Sequence, residues 1–322
     1  MTKGDRSVEK KRGVLLINLG TPDSPDPQDV KKYLKPFLSD KRIIKMPSVI
    51  WQPILNSFIL TTRPKKAAAL YAQIFEDGVS PLLKYARAQE ANLQQLLPDT
   101  KVGIAMSYSS PAIPDAIEEM LAGGVTDLTV IPLYPQYSGT TVGSVFDDVM
   151  GFFRRSDKII DLRFIRSFYD HPGYIAYYAD KIKQALAAHT VDAVVFSYHG
   201  IPASYVKDGD RYPEECTATT RLIMEKMGID VPHFQTFQSK FGPNEWLTPA
   251  TDATLKTLPG QGIKKILIVA PGFVADCLET IEELEQENKG YFLASGGTDY
   301  HYVRPFNEER ALSEIFVDLL KK

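Results

Sequence analysis

Eight short apolar runs mark the chain, at residues 13–19, 102–107, 128–133, 162–166, 193–198, 234–238, 265–270 and 300–304. Most are rich in β-branched residues, bounded by glycine or proline, and separated by stretches of helical length. Continuous apolar runs of this kind predict strands buried on both faces, joined by crossover helices into parallel sheets. The pattern also repeats. Asn18-Leu19-Gly20-Thr21-Pro22 and Tyr198-His199-Gly200-Ile201-Pro202 each end the first strand of a half in a Gly-x-Pro turn. The last two strands of each half share one offset, since 128 to 266 and 162 to 300 are both 138, and Arg166 and Phe168 map onto Arg304 and Phe306 by the same step. The expected fold is α/β: two similar Rossmann-like, doubly wound domains, each a central parallel sheet flanked by helices, with a cleft between them. The boundaries are 1–170 and 171–322, the last helix packing back on the first domain. The first half carries an insertion at about residues 22–95, a natural place for a ligand-specific element. Within it, residues 47–60 are uncharged and apolar but interrupted by Pro53. They read as core helix, as packed loop, as a greasy lip over an apolar ligand, or as a contact with a membrane surface.

Composition narrows the setting. The 322 residues are 44% hydrophobic and 24% charged, with a net charge of −3. No electrostatic footprint for nucleic acid is visible, and Lys10-Lys11-Arg12 is only a short cluster. The amino terminus lacks an apolar h-region and a cleavage site, and no run reaches membrane-spanning length. Two cysteines, Cys216 and Cys277, make neither a disulfide framework nor a four-ligand metal site. A cytoplasmic location fits, peripheral at the inner membrane if the apolar run touches lipid. Phosphate-loop, dinucleotide and nucleophile-elbow motifs are absent from the sequence, so neither nucleotide nor acyl-enzyme chemistry is supported.

Candidate chemistry gathers at strand ends, where ligand crevices of parallel sheets lie. His199 closes the run 194–199. Residues 271–287 read as a Pro-Gly turn followed by an acidic helix. At ~100° per residue, Asp276, Glu279, Glu283 and Glu287 fall in one narrow stripe of that helix. One histidine facing a file of carboxylates handles protons and cations; a satisfied strand-end histidine and a solvated acidic face would leave the same trace. Trp246, with Lys240 on the long turn after residue 238, suits an aromatic wall for a flat ligand or a capping core tryptophan. Ser138 and Thr140 precede a helix whose free N–H groups favour an anion such as a carboxylate, or are ordinary cap residues. Tyr108 ends the second strand, where its phenol packs on a ligand or in the core.

Five ordered blocks at these residues, spanning nearly the whole chain, resemble the ferrochelatase family in its bacterial form. They are Leu15-Leu16-Ile17-Asn18-Leu19-Gly20-Thr21-Pro22, Tyr134-Pro135-Gln136-Tyr137-Ser138, Ser197-Tyr198-His199-Gly200-Ile201-Pro202, Gln238-Ser239-Lys240-Phe241-Gly242-Pro243 with Trp246-Leu247, and Leu278-Glu279-Thr280 before Glu283-Leu284. The resemblance implies two Rossmann-like domains without nucleotide, inserting Fe²⁺ into protoporphyrin IX with release of two protons. It implies His199 and Glu279 as catalytic and metal-handling residues, Asp276 and Glu283 as an acidic relay, and Tyr108 and Trp246 against the macrocycle. Ser138 and Thr140 are the expected carboxylate contacts. Cys277 stands where animal enzymes have a histidine, Ser107 where they have an arginine, and Gly139 where they have a cluster cysteine. The chain stops at Lys322 without their cysteine-bearing extension, so no iron–sulfur cluster is expected and no cofactor is held permanently. The expected partners are protoporphyrin IX and ferrous iron, and the protein itself is a monomer or a homodimer.

The chemistry suits these residue types. An imidazole can accept a proton or donate a lone pair. Fe²⁺ sits low in the affinity order, so a weak, open oxygen and nitrogen site suits delivery rather than storage. Apolar walls can use binding energy to bend a flat macrocycle. Three rivals remain: a cobalt or nickel chelatase for a related tetrapyrrole, a non-catalytic tetrapyrrole carrier, and a two-lobed periplasmic receptor.

Overall fold

The structure, a computed structural model, describes residues 10–321; residues 1–9, read above for a secretory leader, lie outside it. Two four-stranded parallel sheets form the frame. The first runs β2-β1-β3-β4 and the second β6-β5-β7-β8. The strands are β1 Arg12–Asn18, β2 Lys101–Met106, β3 Asp127–Pro132, β4 Asp161–Phe164, β5 Ala193–His199, β6 His233–Gln238, β7 Lys265–Val269 and β8 Asp299–Val303. All eight expected strands are present, with ends shifted by one or two residues. The duplication holds to the residue: Asp127 pairs with Asp161 across β3 and β4, as Lys265 pairs with Asp299 across β7 and β8. In β1 and β5 every residue from the second to the sixth is buried, because helices cover both faces of each sheet.

The helices are α1 Pro27–Ser39, α2 Ser48–Ile54, α3 Leu60–Ile74, α4 Pro81–Leu96, α5 Ile113–Ala122, α6 Val142–Arg155, α7 Pro172–Ala188, α8 Ala203–Lys207, α9 Tyr212–Met227, α10 Thr251–Thr257, α11 Lys289–Ala294 and α12 Arg310–Leu320. Two π-helical segments, Leu55–Ile59 and Glu279–Asn288, join α2 to α3 and lead into α11. Local chemistry sets the starts. Asp26 and Ser80 cap α1 and α4, each with proline at the first helical position, where its missing N–H costs nothing.

The insertion builds its own aromatic and aliphatic cluster from α1, α2 and α3, with Tyr33, Trp51, Leu55, Leu60 and Tyr71 inside. The apolar run 47–60 is helical and two-faced. Trp51 is buried and its indole N–H donates to Leu38 O at 2.6 Å, while Val49 is 83% and Phe58 68% exposed. The main core belongs to both halves: Leu16 and Met106 share it with Phe196, Val269 and Phe306. At its centre Tyr174 meets Phe168 edge-on and stacks on Phe306, the two residues that the repeat makes equivalent. The last helix, α12, packs on α4 of the first half, and Arg163 donates to Leu319 O at 2.8 Å.

Candidate active site

His199 is the last residue of β5 and is half-buried. Its Nδ1 lies 2.7 Å from Gly200 O. A carbonyl only accepts, so Nδ1 carries a proton, and of the two neutral tautomers the one compatible with this bond has its lone pair at Nε2. Gly200 is needed here, since a Cβ would fall 2.9 Å from Gln238 O and 3.1 Å from the Trp246 ring. Trp246 thus packs over the turn after His199, and its backbone bridges Pro202.

Beside His199 lies Glu283. The backbone N–H of Ser239 donates to its Oε1 at 2.7 Å, and the Ser239 hydroxyl and Gln238 Nε2 donate to Oε2. Ser239 adopts φ 65°, a strained left-handed conformation for a residue with a side chain, which turns its N–H onto the carboxylate. Burial pushes the Glu283 carboxyl above the usual range; the Ser239 and Gln238 bonds and the nearby His199 oppose this, and Glu279 adds to it. Gln238 Nε2 also donates to Glu279 O at 2.8 Å, and its Oε1 accepts from Ser197 at 2.7 Å.

Glu279 faces the insertion. Burial raises the Tyr33, Tyr71 and Tyr134 phenols and the Cys277 thiol, and the Glu279 carboxylate raises each further. Arg63 of α3 reaches the same place. Burial lowers its pKa while Tyr71, Tyr33 and Glu279 hold it up, its Nη1 is buried without a hydrogen-bond partner among the described residues, and its guanidinium lies 4.2 Å over the Phe241 ring. Nothing in the sequence marked Arg63, because its burial depends on Phe241, far along the chain. His199, Glu279, Glu283, Trp246 and Arg63 therefore come together where the insertion meets the ends of β5 and β6.

The remaining expected residues sit elsewhere. The stripe predicted at α-helical spacing is replaced by a π-helix ten residues long, with wider i→i+5 turns. Asp276 precedes that segment, is fully buried, and is held by Thr280, Tyr302, Arg304 and Asn307. It does not open on the cleft with Glu279. Glu287 lies on the exposed surface against Tyr291. The helix start at Ser138 and Thr140 does hold a carboxylate, but one of the protein's own: Asp210 accepts from Ser138 Oγ and Gly139 N, both at 2.8 Å. Tyr108 is buried against Phe37 and donates its hydroxyl to Asp40. Among the described residues no three His, Cys, Asp or Glu side chains converge as a ligand set that could hold a metal ion, and no helix is long and apolar enough to cross a membrane.

The two duplicated parallel-sheet lobes give the chain the fold of the chelatase class of α/β proteins. Solved structures agree on the fold. SirB from Bacillus subtilis, solved with Fe³⁺, aligns over 97% of this chain and 94% of its own, with a TM-score of 0.56 at 13% identity. The siroheme-synthesis enzyme CbiX of denitrifying bacteria aligns over 96% and 98%, with a TM-score of 0.54 at 14% identity. The ferrochelatase family profile matches residues 11–322. The coproporphyrin III ferrochelatase of Enterococcus faecalis is 58% identical over 97% of this chain and 99% of its own length, and the ferrochelatase of Pectobacterium atrosepticum 44% identical over 98% of each. The chain belongs to the ferrochelatase family: it is a metal chelatase that acts on a porphyrin in haem synthesis.

Proposed function

We propose that the protein inserts Fe²⁺ into protoporphyrin IX, forming protohaem and releasing two protons. The observation that carries this is the Nδ1 bond of His199 to Gly200 O, with the Glu283 carboxylate near the imidazole and Glu279 near Glu283. In this reading Nε2 accepts a pyrrole proton, and Glu279 holds the incoming cation through hard oxygen atoms, loosely enough to give it up. Glu283, with its raised carboxyl, passes protons outward. The insertion cluster and Trp246 grip the macrocycle, and Arg63, whose buried Nη1 has no hydrogen-bond partner among the described residues, pairs with a porphyrin carboxylate. Ser138 and Thr140 act at one remove, through the turn that Asp210 holds, and Tyr108 backs the wall.

Protoporphyrin IX is supported by the apolar cluster of the insertion and its outward Val49, Ile50, Ile54 and Phe58, which suit a macrocycle with fewer charged side chains. Coproporphyrin III is the second reading, favoured by the 58% identity to the E. faecalis protein of that name. Anaerobic insertion assays with both porphyrins decide between them. The expected result is faster conversion of protoporphyrin IX to a two-band metalloporphyrin spectrum, abolished in His199→Ala and Glu279→Gln while both variants stay folded. Full activity in either variant sinks the mechanism; preference for coproporphyrin III reverses the substrate.

The outward residues Val49, Ile50, Ile54 and Phe58 of the insertion make a contact surface for a bilayer, which fits a cytoplasmic enzyme peripheral to the membrane. Flotation with anionic vesicles is expected for the parent protein and weakened in Val49→Ser/Phe58→Ser.

A further inference from the structure

The carboxylate of Asp276 ties three parts of the chain together. It accepts from Thr280 Oγ1 at 2.8 Å, Tyr302 OH at 3.1 Å, Arg304 Nη1 at 2.9 Å and Asn307 Nδ2 at 2.8 Å. Its own N–H donates to Asn307 Oδ1 at 2.7 Å. A carboxylate offers about four lone-pair sites, so all are in use. A proton arriving there would displace one of these donors, one of them the Arg304 guanidinium. Thr280 lies in the first turn of the π-helical segment, next to Glu279. The first half of the molecule reaches the same knot through Gln89 of α4, whose Nε2 donates to Asn307 O at 2.9 Å and Val274 O at 3.3 Å.

The repeat supplies an independent argument. Arg166 and Arg304 are equivalent positions after the last strand of each half. Arg166 pairs with Glu215 at 2.8 Å, and Glu215 accepts from Tyr137 N at 2.7 Å, holding the loop after β3. Arg304 pairs with Asp276, which holds the loop after β7. Glu215 belongs to α9 of the second half, whereas Asp276 lies in the loop it holds, so what recurs is an arginine after the last strand of each half, paired with a carboxylate that fixes the loop after the third strand.

We propose that Asp276 is a positioning residue. With Asn307 and Gln89 it fixes the first turn of the π-helical segment, and through that turn the reach of Glu279 and Glu283. The inference rests on the insertion reading for its catalytic consequence and on the bonding network for the rest.

The experiment uses the full chain with Thr280→Val and Asn307→Ala, which keep the carboxylate, alongside Asp276→Asn and Thr280→Ser. The expected result is a loss of about tenfold or more in kcat/KM for Fe²⁺ in Thr280→Val and Asn307→Ala. KM for porphyrin and the pH profile stay as in the parent, and Thr280→Ser restores the rate. Hydrogen exchange of amides 279–288 should quicken in Thr280→Val with the sheets unchanged. Parent-like exchange and kinetics in both variants overturn the proposal. So does inactivation confined to Asp276→Asn with a displaced pH limb, which would make the carboxylate itself the relay. If the parent protein shows no insertion, the functional reading fails, and the exchange measurement still decides whether this network holds the segment.

Discussion

One backbone bond sets the chemistry of His199. Because Nδ1 donates to Gly200 O, the ring can neither turn over nor present its N–H to the cleft without losing that bond. Its place at the end of β5 was legible from the apolar run and the Gly-Ile-Pro turn that follows. Glu279 was legible for the same reason, as a carboxylate just past a Pro-Gly turn. Arg63 was not. A guanidinium between Thr62 and Pro64 looks solvated in sequence, and only the fold brings Phe241, Tyr33 and Tyr71 around it. A half-buried guanidinium whose Nη1 has no hydrogen-bond partner among the described residues destabilises the ligand-free protein. Arg63→Met should therefore raise stability by about 1 kcal/mol in denaturant titration while weakening porphyrin affinity by about tenfold. Loss of stability with unchanged affinity would mean that the guanidinium is only a packing group.

At the scale of elements, strands were easier to foresee than the acidic helix. A continuous β-branched run has few alternatives to a buried strand, whereas the period of apolar residues hardly separates an α-helix from a π-helix. The stripe argument kept Glu279 and Glu283 together because they are one turn apart in either geometry, and it failed for Asp276, which lies before the helix begins. Helix α6 shows a second effect hidden from sequence. Lost hydration at the Asp148 carboxyl, with Asp40 and Asp147 beside it and Arg155 only partly compensating, pushes its pKa up to about 6. A raised carboxyl supports folding fully below its ordinary value of 3.8 and loses that contribution as pH climbs through about 6. Asp148→Asn should thus leave stability unchanged at pH 4 and increase it at pH 7. The gain should stay below about 1 kcal/mol, because the side chain lies at the surface. Equal effects at the two pH values would exclude this assignment.

For the whole molecule, the repeat read from a shared offset became two sheets of identical strand order. What the sequence could not convey is that the halves are inseparable. Their main core is common, with Tyr174 between Phe168 and Phe306, and Gln89 of α4 donates to Asn307 O and Val274 O while Arg163 donates to Leu319 O. Calorimetry should show one unfolding transition, and residues 171–322 expressed alone should not fold; two separated transitions would contradict a shared core. The duplication has one more consequence. A dimer of single lobes obeys two-fold symmetry, so the two faces of its cleft must be alike. Fusion lifts that constraint. Where the second half has His199 before its glycine, the first has Leu19 before Gly20, a side chain that neither takes a proton nor binds a cation. A planar guest between unlike walls has a reactive side and an inert side. Two orientations that a symmetric host would treat as equal become different complexes, and the chain can select one.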